Sequence, residues 1–112
     1  MYDWALEPGA PVQHRDYIQR LMEQVAAAVS RVADHVATGK LDEADEVLDA
    51  TWTAAVGLRR ADVGRLDAGT MRVLLGLKKV VAAQLLVAEA TVEDARGRHA
   101  RAESLRRTAA EL

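Results

Sequence analysis

Apolar residues recur at alternating steps of four and three residues near the start of the chain. This spacing places side chains on one face of an α-helix for about five turns, and Leu21 and Ala28 widen that face. No segment of the chain shows the sustained alternation of a β-strand. The sequence therefore predicts an all-α fold. The stripe consists of Ile18, Met22, Val25, Val29, Val32 and Val36.

Turn and capping residues divide the chain into predicted elements. Asp16 and Gln19 fit a capping box, and Gly39 fits a left-handed helix stop. Residues 1–15 contain both prolines and are predicted to form an irregular N-terminal arm, either docked through Tyr2 and Trp4 or frayed. The rest, residues 16–112, is predicted to be a single helical domain of antiparallel hairpins. Its predicted helices cover about 16–38, 41–60, 67–75, 77–96 and 98–112.

Several classes of chemistry lack the residues that they need. The chain of 112 residues has no cysteine, which excludes disulfide frameworks, thiolate zinc sites and iron–sulfur clusters. The sequence contains no phosphate-binding glycine loop and no serine in a nucleophile elbow. The three histidines do not have metal-ligand spacing, and Glu89 and Glu93, one turn apart, are predicted to lie on a solvated face. We therefore expect no enzymatic activity, no cofactor, no metal and no small-molecule substrate.

The apolar segments are short. Apolar runs such as residues 80–83 are far too short to span a bilayer, and the N-terminus lacks the pattern of a signal peptide. The last predicted helix carries only Leu105 and Leu112 as bulky apolar groups, which argues against binding to a membrane surface. We expect a cytoplasmic protein.

The small net charge of −2 conceals charges that are sorted by segment. Residues 40–58 have one basic and five acidic side chains, whereas residues 59–79 have six basic and two acidic ones. Residues 96–112 are also basic, with five basic and two acidic side chains. This sorting predicts complementary packing of the segments, either within one chain or between two.

The basic residues and one tryptophan form the predicted partner surface. Trp52 is interpreted as a core anchor, with a partner contact as the alternative. Arginine-rich segments could neutralise phosphates, but the chain as a whole is acidic and has few aromatic residues, which argues against nucleic acid. The candidate surface residues are Trp52, Arg59, Arg60, Lys78, Lys79, Arg106 and Arg107.

Two glycines precede small residues at the same offsets. Each is followed by a small residue five and twelve positions later. This pattern resembles the second half of a tetratricopeptide repeat, and the arrangement is also similar to a family of short uncharacterised bacterial proteins with degenerate repeats. The two glycines are 58 residues apart rather than 34, and the first-helix fingerprint and the helix-ending proline of the repeat are missing. The two sets are Gly39, Ala44 and Thr51, and Gly97, Ala102 and Ala109.

The resemblance implies stacked helical hairpins with a protein-binding role. A stack of only two hairpins leaves apolar surface uncovered at its ends. The sequence therefore predicts a non-catalytic interaction module that forms a homodimer through an exposed stripe of the first or fourth predicted helix, residues 16–38 or 77–96. The alternative is a small regulator that binds nucleic acid through its arginine-rich segments.

Overall fold

The computed structural model describes the backbone of residues 3–112 and the side chains of residues 16–112. Within these ranges all regular structure is helical, so the predicted all-α class is confirmed. A π-helical turn, Trp52–Val56, extends the second helix, and a 3₁₀ turn, Gly76–Lys78, joins the fourth helix to the fifth. The helices are α1 (Asp3–Ala37), α2 (Leu41–Thr51), α3 (Arg60–Val63), α4 (Ala68–Leu75), α5 (Lys79–Ala95) and α6 (His99–Glu111).

Helix α5 lies at the centre of the molecule and packs against α1, α2 and α6. The chain forms two hairpins, α1–α2 and α5–α6. Gly39 and Gly97 close the first helix of each hairpin with φ angles of 75° and 83°, a conformation that favours glycine. Ala44 and Ala102, one turn into the following helices, are fully buried and allow the paired helices to approach closely.

Among the described residues, the core consists of alanine, valine, leucine and methionine side chains and one tryptophan. Trp52 is fully buried, and its indole N–H has no hydrogen-bond partner among the described residues. The core-anchor interpretation of this side chain is therefore confirmed, and Trp52 does not belong to the candidate partner surface. Val25 and Val32, from the stripe on α1, are also fully buried. Within the described part of the chain, no helix has the length and apolarity needed to cross a membrane.

Two boundaries differ from the prediction. The second helix was expected to reach Arg60, but it ends at Val56 because Gly57 turns the backbone with a φ of 85°, and Arg60 instead begins α3. Helix α1 begins at Asp3, where the sequence predicted an irregular arm over residues 1–15. The fixed φ of proline is compatible with helical backbone, although each proline removes one backbone donor. Tyr2 and the side chain of Trp4 lie outside the described residues, so their docking stays a prediction.

Candidate functional site

Charged side chains of α2, α3, α5 and α6, together with the loop between the last two, meet in one group, which we call the ionic cluster. Arg60, at the start of α3, is its hub. Its guanidinium donates to Asp45 Oδ1 at 3.2 Å and to Asp49 Oδ1 at 3.1 Å, and its Nε lies 3.3 Å from Glu89 Oε1. The side chain of Arg60 is only 18% exposed. The cluster contains Asp42, Asp45, Asp49, Arg60, Glu89, Glu93, Arg96, Arg98 and Arg101.

Arginines that follow α5 complete the ionic cluster. Arg96 donates to Asp42 Oδ1 at 3.2 Å and to Asp45 Oδ2 at 2.5 Å, which ties the α5–α6 loop to the acidic helix α2. Arg101 lies 3.5 Å from Glu89 Oε2 and 3.3 Å from Glu93 Oε2, so it bridges the two glutamates. The complementary packing predicted from the sorted charges therefore occurs within one chain.

The sequence predicted that Glu89 and Glu93 lie on a solvated face, and this prediction is wrong because both are buried. They are 6% and 4% exposed. Because α5 is surrounded by other helices, its polar side is also covered, and arginines from α3 and α6 supply the neutralising charge. The available signal was the position of two carboxylates on a helix that is otherwise almost entirely apolar.

The carboxylates of the ionic cluster raise the pKa of two of its arginines, Arg60 and Arg96. Burial by itself lowers the pKa of Arg60, but the Glu89 carboxylate, with help from Asp49 and Asp45, raises it above its ordinary value. Hydrogen bonds to Asp42 and Asp45 raise the pKa of Arg96. A polar cavity of about 560 Å³ opens beside these side chains. All five carboxylates that line it are paired with arginine, so the arrangement cross-links the helices.

The predicted basic surface is not assembled as one patch of available charge. Arg60 belongs to the ionic cluster, Arg59 is paired with Asp62 at 3.2 Å, and Arg106 is bonded to Asp94. The remaining predicted residues have no ion pair within residues 16–112. Lys78 and Lys79 are half-buried, and Arg107 is exposed.

An apolar depression, which we call the α1/α5 groove, runs between the two helices for which it is named. One hollow of about 700 Å³ lies between Met22 and Val80, and a second of about 600 Å³ lies between Val29 and Val87. The numbering rises along both helices in the same direction, so α1 and α5 are parallel. At one end α6 also borders the groove. The side chains that line it are Ile18, Gln19, Met22, Glu23, Ala26, Val29, Leu77, Val80, Ala83, Gln84, Val87, Arg106, Ala109 and Ala110.

The open side of α5 carries no charge. Between residues 77 and 91 the exposed positions are all uncharged and follow one another at steps of three and four. A helix side that faces water normally carries polar or charged groups. This stripe is therefore built like a helix–helix contact rather than a hydrated surface. It consists of Leu77, Val80, Gln84, Val87 and Thr91.

The sequence predicted an exposed stripe on the first or fourth helix, but it identified residues only for the buried stripe on α5. The heptad-like steps of this helix predict an apolar face that contains Val81, Leu85, Ala88, Val92 and Ala95. The first four are buried, but Ala95 is exposed. The exposed stripe lies beside it, and its signal was a second heptad-like series on the same helix with no charged member.

No family model, curated protein or solved structure matches the chain. The tetratricopeptide resemblance therefore stays a prediction.

Proposed function

We propose that the protein is a non-catalytic interaction module that self-associates as a homodimer through the α1/α5 groove. The observation that carries this proposal is the uncharged exposed stripe on α5, the central helix of the fold. We also propose that the fold is similar to tetratricopeptide repeats. This is supported by the two hairpins, with their left-handed glycine stops and buried alanines.

The exposed apolar side chains provide the driving force for association. Leu77, Val80 and Val87 are each about half exposed, and Met22 lies beside them on α1. Burying apolar surface contributes about 25 cal/mol per Å², so covering half of a valine contributes about 1 kcal/mol. Contiguous apolar surface of this kind on a folded protein is typical of an interaction site.

A second copy of the chain suits the groove because the interface would place identical surfaces against each other. Such an isologous contact tolerates no strong like-charge repulsion near its centre. The stripe on α5 meets this condition over its whole length. The nucleic-acid alternative has less support, since Arg60, Arg96 and Arg101 are neutralised by carboxylates of the same chain.

A charge placed in the groove tests the proposal. Val87→Lys puts an ammonium group on the stripe, and Val73→Lys is the matched control. Val87 lines the groove and is 48% exposed. Val73, on α4, is 87% exposed but does not line the groove. Both copies carry the substituted residue in the interface. A loss of about 1.4 kcal/mol of binding free energy per copy therefore lowers the affinity of the homodimer roughly a hundredfold.

Light scattering coupled to gel filtration measures the result. We expect wild type and Val73→Lys to be dimers at micromolar concentration and Val87→Lys to be a monomer with unchanged helical circular dichroism. A monomeric wild-type protein would contradict the proposal. So would a dimer that Val73→Lys dissociates and Val87→Lys leaves intact.

A further inference from the structure

We infer that the two copies pair with their α5 helices antiparallel, about a two-fold axis close to Gln84. This inference rests on the proposed self-association and goes further, because it specifies which residues of the two chains meet.

The groove has a natural centre. Its two hollows share two lining residues, Ala26 on α1 and Gln84 on α5. We consider a two-fold axis that is perpendicular to both helices at this level. It places each hollow of one copy opposite the other hollow of the second copy. The small side chain of Ala26 allows α1 of the two copies to approach closely at the axis.

The two hollows are lined by side chains of opposite charge. Among the described residues, Glu23 lines the hollow near Leu77, and Arg106, which also pairs with Asp94 and is 43% exposed, lines the hollow near Val87. An antiparallel pairing brings the acidic end of one copy to the basic end of the other. A parallel pairing brings acidic end to acidic end and basic end to basic end, and this like-charge arrangement is unfavourable.

The side chain at the centre is self-complementary. The amide of Gln84 can donate and accept a hydrogen bond, so two copies of it can bond to each other across a two-fold axis. A single polar residue in an otherwise apolar seam also fixes the register of paired helices. The stripe is nearly symmetrical about this residue, with Val80 four positions before it and Val87 three positions after it.

The antiparallel arrangement predicts specific distances. It places position 80 of one copy beside position 87 of the other, whereas the two copies of position 80 lie about 12 Å apart along the helix axis. A parallel pairing reverses this, since it places the two copies of position 80 together. A disulfide needs Cα atoms within roughly 7 Å, so cross-linking separates the two arrangements.

The absence of native cysteine makes the experiment clean, because any disulfide reports only the introduced positions. Val80→Cys and Val87→Cys proteins are oxidised separately and as an equal mixture, and Gln84→Cys is oxidised alone. We expect about tenfold more disulfide-linked dimer in the mixture than in either separate sample. We also expect efficient cross-linking of Gln84→Cys.

Cross-linking of Val80→Cys with itself, in preference to the mixture, would overturn the antiparallel arrangement. Failure of Gln84→Cys to cross-link, while light scattering shows that the variant is still a dimer, would overturn the position of the axis. In both cases the self-association itself would stand. A wild-type protein that is monomeric in light scattering would instead contradict the proposed function.

Discussion

Replacing Arg60 with methionine is expected to destabilise the fold by about 2–3 kcal/mol. Removing one partner of a buried ion pair costs about 3–5 kcal/mol when the other charge is left without compensation. Here the loss is smaller, because Glu89 keeps Arg101 at 3.5 Å and Asp45 keeps Arg96. The substitution retains an unbranched side chain of similar length, so the change removes charge and hydrogen bonds more than packing volume.

A double-mutant cycle isolates the contact between Arg60 and Glu89. Glu89→Met leaves Arg60 with Asp45 and Asp49, so we expect a loss of about 1–2 kcal/mol. The double variant should lose less than the sum of the two single losses, by about 1 kcal/mol or more, because no uncompensated charge of this pair remains.

Urea denaturation followed by circular dichroism measures the free energies of unfolding of the four proteins in this cycle. Arg59→Met is the matched control, since Arg59 is 79% exposed and pairs only with Asp62 among the described residues. Its loss should stay within about 0.5 kcal/mol. Equal effects of Arg59→Met and Arg60→Met, or strict additivity in the double variant, would refute the structural role of the pair.

Two further predictions concern the core and the α5–α6 hairpin. Trp52→Ala should lower the free energy of unfolding by about 3–5 kcal/mol, measured in urea, because it leaves a large cavity. Trp52→Phe should cost much less, since the indole N–H makes no hydrogen bond to the described residues that could be lost. Similar losses for both variants would contradict this. The pKa of Asp94 is lowered by its hydrogen bonds to Arg106 and His99. Its stabilising effect is therefore complete above the unfolded pKa of about 3.9 and disappears as the pH falls through the lower folded value. Asp94→Asn should be less stable than wild type at neutral pH, and the difference in thermal midpoint should shrink below about pH 4. A difference that does not change with pH would argue against this assignment.

The helical framework could be predicted because its signals are local. The stripe containing Val25 and Val32 follows the helical period, and Gly39 marks a stop that needs a positive φ. The sorted charges indicated in addition that acidic and basic segments would pack together, within one chain or between two. Arg60 and Arg96 pack against α2 within the chain. Each of these inferences depends only on residues that are close in sequence or on the sign of a segment's net charge.

The burial of Glu89 and Glu93 could not be predicted in the same way. It depends on how many helices surround α5, and the sequence of α5 does not contain that information. The same reason applies to the surface. The stripe containing Val80 and Val87 is exposed because the neighbouring helices leave that sector open, whereas Trp52, a candidate partner residue, lies inside the core.

Methyl NMR of the wild-type protein across a dilution series tests the central claim most directly, because it reports the contact face without any substitution. We predict that concentration-dependent shifts and broadening are confined to groove methyls such as those of Leu77, Val80 and Val87. The methyls of Val73 and Leu74 on α4, which are also exposed, serve as internal controls and should not change. Spectra that are independent of concentration with a monomeric tumbling time, or changes that centre on Val73 and Leu74, would contradict the account.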